Sequence, residues 1–115
     1  MNTLGKEGEE IASGFLKKKG FRIIEKNYRT VFGEIDIIAQ DREVLVFVEV
    51  KTRADVTFAY PFEAVNRKKR EKIRKTAVCF MRNLKKEVPA RFDILSICLK
   101  NGKQQIEHIQ DAFEV

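Results

Sequence analysis

The segment GEIDIIAQDREVLVFVEVKTR, Gly33 to Arg53, reads as a β-hairpin whose open end is charged. Over Gly33 to Gln40, Ile35, Ile37 and Ala39 alternate with Glu34, Asp36 and Ile38, the two-residue period of a strand. Val44 to Lys51 is almost continuously apolar until Glu49, as expected of a strand buried on both faces. The short link Asp41-Arg42 joins the two as a hairpin. Successive strand side chains point to opposite faces, so Leu45, Phe47, Glu49 and Lys51 share one face, and Val44, Val46, Val48 and Val50 the other. Pairing Gln40 with Glu43 sets Asp36 opposite Phe47 and Glu34 opposite Glu49. Asp36 is then a same-face diagonal neighbour of Glu49, with Glu34 an accessory acid of open role.

Carboxylates held together in a partly apolar setting repel one another and lose hydration, a cost relieved by a cation or a proton. Oxygen ligands with open positions suit Mg²⁺ or Mn²⁺, which keep several waters and take further oxygens from substrate phosphates. The chemistry this predicts is phosphodiester hydrolysis, with Asp36 and Glu49 as metal ligands and Lys51 orienting the attacking water or neutralising developing charge. The competing reading is an exposed strand end carrying an ordinary Glu49–Lys51 ion pair, which is the commoner arrangement. The position of ExK after the five apolar residues Val44 to Val48, with a same-face Asp on the hairpin partner, favours the site.

Upstream, Leu4, Ile11, Ala12, Phe15 and Leu16 recur at helical spacing over Leu4 to Lys19, and Gly20 is a stop signal. At about 100° per residue, Glu9 lies near the edge of the apolar face and Glu10 points away. Glu9 can reach the site; its bland alternative is charge complementing the helix dipole. Phe21, Ile23 and Ile24 read as a short strand, ending in a turn at Asn27 to Thr30. Downstream, a loop from Thr52 to Pro61 precedes a helix over roughly Phe62 to Glu87, with the stripe Val65, Lys69, Ile73, Thr76, Ala77, Phe80 and Leu84. Phe92 to Leu99 reads as a buried strand, and Asn101-Gly102 turns into a last strand around Gln105 to Ile109. Helix, three strands, helix, strand, strand predicts a sheet covered by helices around a single core, one domain over residues 1–115.

The 115 residues carry 23 basic against 17 acidic side chains, a formal charge of +6 that favours a polyanionic partner. Much of it lies in Arg67, Lys68, Lys69, Arg70, Lys72, Arg74 and Lys75, either a solvated or a phosphate-facing surface. Lys69 stands in the apolar stripe and leans over the sheet, as a phosphate contact or a snorkelling lysine. Arg53, just past the second hairpin strand, joins Arg67, Lys68, Lys69 and Arg70 as a candidate nucleic-acid contact. Cys79 and Cys98 lack any CxxC spacing and read as reduced core thiols. His108, the only histidine, has no triad partner in register and reads as structural. No apolar run can span a bilayer and the first ten residues lack an apolar signal region, so no membrane partner and a cytoplasmic location are expected.

GEIDIIA (Gly33 to Ala39), VFVEVKTR (Val46 to Arg53) and RFDIL (Arg91 to Leu95) resemble the YraN family of small bacterial proteins. GEEIA (Gly8 to Ala12), KKGF (Lys18 to Phe21) and HIQDAF (His108 to Phe113) agree, extending the match over nearly the whole chain. That family is distantly similar to archaeal Holliday junction resolvases and to the restriction-endonuclease-like superfamily with its PD-(D/E)XK site. The resemblance implies an α/β fold with an αβββαβ core, a mixed sheet flanked by helices, here with an extra C-terminal strand. By position it puts the first-helix acid on Glu9, the metal-binding Asp on Asp36 and the ExK pair on Glu49 and Lys51; Ile35 replaces a proline that is not a ligand. The function implied is a Mg²⁺ or Mn²⁺ dependent endonuclease acting on DNA, with branched or repair intermediates as a substrate class and a homodimer as the working form. The alternative is a nucleic-acid-binding module in DNA processing with little or no catalysis of its own.

Overall fold

The structure, a computed structural model, describes residues 3–54 and 66–114. Its elements run α1 (Thr3–Lys18), β1 (Arg22–Thr30), β2 (Gly33–Asp41), β3 (Val44–Arg53), α2 (Arg67–Arg82), β4 (Ala90–Lys100) and β5 (Lys103–Phe113). The strands form one sheet in the order β1-β2-β3-β4-β5, antiparallel throughout except for the parallel β3–β4 pair. This is the expected mixed sheet with an added C-terminal strand, compatible with a restriction-endonuclease-like core.

Each helix covers one face. Ala12 and Leu16 of α1 pack with Ile37, Ala39, Val46, Val48, Leu95 and Ile97. On the other side Ile73 and Ala77 of α2 pack with Ile35, Ile38, Leu45, Phe47, Phe92 and Ile94. Strands buried on both faces are what the near-continuous apolar runs of β3 and β4 require. Helix α1 ends where Gly20 takes φ +94°. There the Phe21 N–H bonds to the Leu16 carbonyl and the Gly20 N–H to that of Lys17, a Schellman closure that turns the chain into β1.

Four local expectations are corrected. Strand β1 does not end near Asn27 but continues to Thr30, because Asn27 takes a left-handed φ of 53° within the ladder, a conformation asparagine tolerates. The described part of the second helix is shorter than Phe62 to Glu87. Its cap is Asn66, whose side chain accepts from the Lys69 N–H, and it stops at Arg82; Val65 lies outside the described residues. The β2–β3 turn is Arg42-Glu43, with Asp41 paired to Val44, so the register is two residues from the expected one. Finally, Ile35 packs on the α2 side with Ile38, three residues on, which a regular strand forbids. Strand β2 loses its two-residue period at Asp36, which lies between the pairs Lys26–Ile37 and Tyr28–Ile35, across from Asn27.

The motifs outside the hairpin meet in a buried polar network. Asp93 is fully buried, its carboxylate accepting from Arg91 Nε at 3.0 Å, from the Asp111 N–H at 3.0 Å and from His108 Nε2 at 2.7 Å. Lys19 Nζ lies 2.8 Å from His108 Nδ1, so an imidazole carrying its proton on Nε2 satisfies both contacts. His108 also packs edge-on against Phe15 and Phe21, and Arg91 reaches Asp41 of β2 at 3.2 Å. Residues of KKGF, RFDIL and HIQDAF thereby tie α1, β4 and β5 together.

Burial pushes the Asp93 carboxyl up, but His108, Arg91 and the Asp111 N–H together hold it below the ordinary carboxylate range. A depressed carboxylate stabilises the fold fully above its unfolded value, near pH 3.9, and that contribution is lost as pH falls through the folded value. Asp93→Ala should cost about 3 kcal/mol in urea unfolding at neutral pH and flatten the acid limb of stability against pH.

Candidate active site

The last β2–β3 backbone pair is Ile37–Val48. One step on, Asp36 and Glu49 would face each other, but the Val50 N–H instead donates to Asp36 Oδ2 at 2.8 Å. A side chain takes a ladder position, and the two strands part there. The two-residue register correction by itself keeps the paired side chains, Ile37 to Asp41 with Val44 to Val48, on their expected faces. It moves Asp36 from a diagonal neighbour of Glu49 to its opposite number.

Glu49 is only 7% exposed, and its charge lies close enough to Asp36 to raise that carboxyl. Lys69 of α2 places Nζ 3.0 Å from Glu49 Oε1 and stands beside Lys51. Two acids and two lysines therefore meet where β2 and β3 separate, on the face covered by α2. Burial, then the neighbouring Glu49 charge, push the Asp36 carboxyl up to about 8, against the lowering effect of the Val50 N–H. Burial and the neighbouring Lys69 ammonium push the Lys51 ammonium down. Burial also works against the Lys69 ammonium, but Lys51, Glu49 and Asp36 together raise it.

Glu9 approaches from α1, near enough for its charge to raise Asp36 further. What brings it there is Gly8. A Cβ on Gly8 would fall 1.9 Å from Thr52 Oγ1, so this turn of α1 lies directly against β3 beyond the acids. Sequence reasoning passed over Gly8, although a glycine inside an amphipathic helix is a signal of close packing.

Of the remaining candidates, Glu34 is drawn away: β2 pairs with β1 here, and Glu34 Oε2 bonds Arg29 Nε at 3.0 Å. The expected juxtaposition of Glu34 with Glu49 is thus corrected by the register and by the parting of the strands. Arg67 and Lys68 are exposed on the first turn of α2, which holds no acidic residue. The Arg70 guanidinium lies 5.8 Å from the Phe113 ring centre, and Arg53 is half-buried at the end of β3. Cations at a helix N-terminus oppose its dipole, an unfavourable placement that a bound anion relieves. The Asn66 cap offsets part of it.

Two expectations follow. Asp36→Asn keeps an acceptor for the Val50 N–H and removes the buried like charge. Because the folded Asp36 carboxyl is raised, its effect on stability becomes steadily more adverse as pH rises from about 4 to about 8. The variant should therefore gain about 1–2 kcal/mol over wild type at pH 8.5 and little at pH 5, read by thermal melts. Gly8→Ala, despite alanine's better helix propensity, should lose about 2 kcal/mol or more through overpacking against Thr52.

Residues 8–97 match the uncharacterised protein family UPF0102. A UPF0102 protein of Thermodesulfovibrio yellowstonii is 48% identical over 110 residues, covering 96% of this chain and 95% of the relative. One from Dictyoglomus thermophilum is 48% identical over 113 residues, covering 96% of each. A third, from Caldanaerobacter subterraneus, is 44% identical over 115 residues, covering 96% and 94%. The family match spans Glu9, Asp36, Glu49, Lys51 and Lys69, and the relatives align nearly end to end. This chain, with the motifs that resemble YraN, belongs to the uncharacterised protein family UPF0102.

Proposed function

We propose that this protein is a Mg²⁺ or Mn²⁺ dependent nuclease that hydrolyses phosphodiester bonds in DNA. The observation that carries the reading is the placement of two neighbouring, largely buried carboxylates beside two lysines at the point where β2 and β3 part. Such a pair fits the metal. Among the described residues no group of three or more His, Cys, Asp or Glu side chains gathers for an all-protein cage. Mg²⁺ typically takes one or two carboxylates and completes its shell with water and substrate phosphate. Asp36 and Glu49 would hold the ion, which supplies Lewis-acid polarisation of the phosphate and acidification of water.

The chain's own groups do the rest. The Val50 N–H fixes one Asp36 oxygen, and the other would be the one offered to the ion. Lys51, on the Glu49 face of β3, orients the attacking water, and Lys69 balances charge on the phosphate as negative charge grows. Glu9 adds negative field from α1, and Arg67 and Lys68, on the exposed first turn of α2, meet flanking phosphates. Among the described residues, no helix is long and apolar enough to cross a membrane.

A second reading, binding to nucleic acid without cleavage, draws on one observation: the Lys69 ammonium pairs directly with Glu49. Purified protein incubated with supercoiled, single-stranded and four-way-junction DNA plus Mn²⁺, at two protein concentrations to expose a dimer, separates the two. Cleavage is expected for wild type and should fall by at least about a hundredfold in Asp36→Asn and Lys51→Ala. Salt-sensitive binding with no product from any substrate would establish the second reading instead. Calorimetric titration with Mn²⁺ should show heat that disappears in Asp36→Asn.

A further inference from the structure

The β1–β2 turn leaves two apolar side chains in water: Val31 is 93% exposed and Phe32 43%. They are not a loose tip. The Phe32 N–H donates to Thr30 Oγ1 at 3.1 Å, and Thr30 Oγ1 lies 3.3 Å from Thr76 Oγ1 of α2. Gly33 lies against α2, where a Cβ would stand at ordinary contact distance, 3.4 Å from Lys72 Cβ and 3.5 Å from Thr76 Oγ1. The Lys75 ammonium stands 5.8 Å from the centre of the Phe32 ring. Phe32, Lys75, Val78, Cys79 and Arg82, with Arg74, line an open cleft of about 280 Å³. Arg74 is committed to Glu71 and to the Glu114 carbonyl, which leaves Lys75 and Arg82 as the cations that face an occupant.

An immobilised, half-exposed aromatic ring among cations on a basic helix is complementary to a nucleobase attached to a phosphate. The platform is also continuous with the candidate active site. From Lys69 to Lys75 is six residues of helix, about 9 Å. From Gly33 to Asp36 is three residues of strand, about 10 Å. Two elements thus agree on a separation of two or three nucleotides at the rise of roughly 3.4 Å per stacked base. We propose that Phe32 is a stacking platform for an unpaired base of DNA, held with its phosphate on Lys75 and Arg82, two or three nucleotides from the phosphate presented to Asp36 and Glu49. This deepens the nuclease reading and rests on it for the substrate class. It selects DNA with a single-stranded segment or branch over uniform duplex, because a base inside a duplex has no free face to offer.

The chain has no tryptophan, so Phe32→Trp places a single reporter on the platform. In EDTA, which prevents cleavage, a short oligothymidylate should quench that emission, while heparin, a polyanion without bases, should not. Phe32→Ala should weaken oligothymidylate binding by roughly tenfold and leave blunt duplex binding within about twofold. Quenching by both polyanions or by neither, or an equal loss on both DNA forms, overturns the platform. So does an emission change driven by protein concentration alone, which would assign the patch to a second copy of the chain. Mn²⁺ dependent cleavage without quenching sinks the platform and leaves the nuclease standing; quenching without cleavage does the reverse.

Discussion

The hydrogen bond from the Val50 N–H to the Asp36 carboxylate is the contact on which the charged end of the sheet depends. A backbone donor at that position would ordinarily find a carbonyl on β2. Satisfying it with a side chain lets the strands separate without orphaning a buried group, which would cost about 1–3 kcal/mol. It also holds Asp36 beside Glu49, against their mutual repulsion. The Asp36 carboxyl is raised first by burial and then by the Glu49 charge that the fold holds beside it, and Lys69, leaning from α2, offsets part of that charge.

Two supports keep this end in place from opposite faces. On the α1 side, Gly8 lets the helix lie against Thr52, which brings Glu9 toward Asp36. On the α2 side, Asn66 sets the start of the helix, and Lys69, one turn in, meets Glu49. At the far side of the sheet, Asp93 gathers His108, Arg91 and the Asp111 backbone, linking α1, β4 and β5 in a network with satisfied partners. Satisfied buried networks specify a unique arrangement, whereas the like-charged acid pair on the α2 face costs stability. That division gives the two sets of motifs different work: KKGF, RFDIL and HIQDAF hold the scaffold, and GEEIA, GEIDIIA and VFVEVKTR build the candidate site.

Residues Gly33 to Arg53 by themselves determined the hairpin, the faces of its side chains other than Ile35, and the proximity of Asp36 to Glu49. Side-chain alternation has a period of two, so even a register wrong by two residues keeps the same partners in view. Helical angle likewise singled out Glu9 over Glu10 and Lys69 over its basic neighbours, since the apolar stripe of a helix is a local property. Only the tertiary structure decided that Ile35 turns toward α2, that Glu34 goes to Arg29, that Lys69 binds Glu49, and that Gly8 touches Thr52. It also decided the company His108 keeps, with Asp93 on one ring nitrogen and Lys19 on the other. These contacts join residues far apart in sequence or depend on where two strands stop pairing, and no local periodicity encodes either.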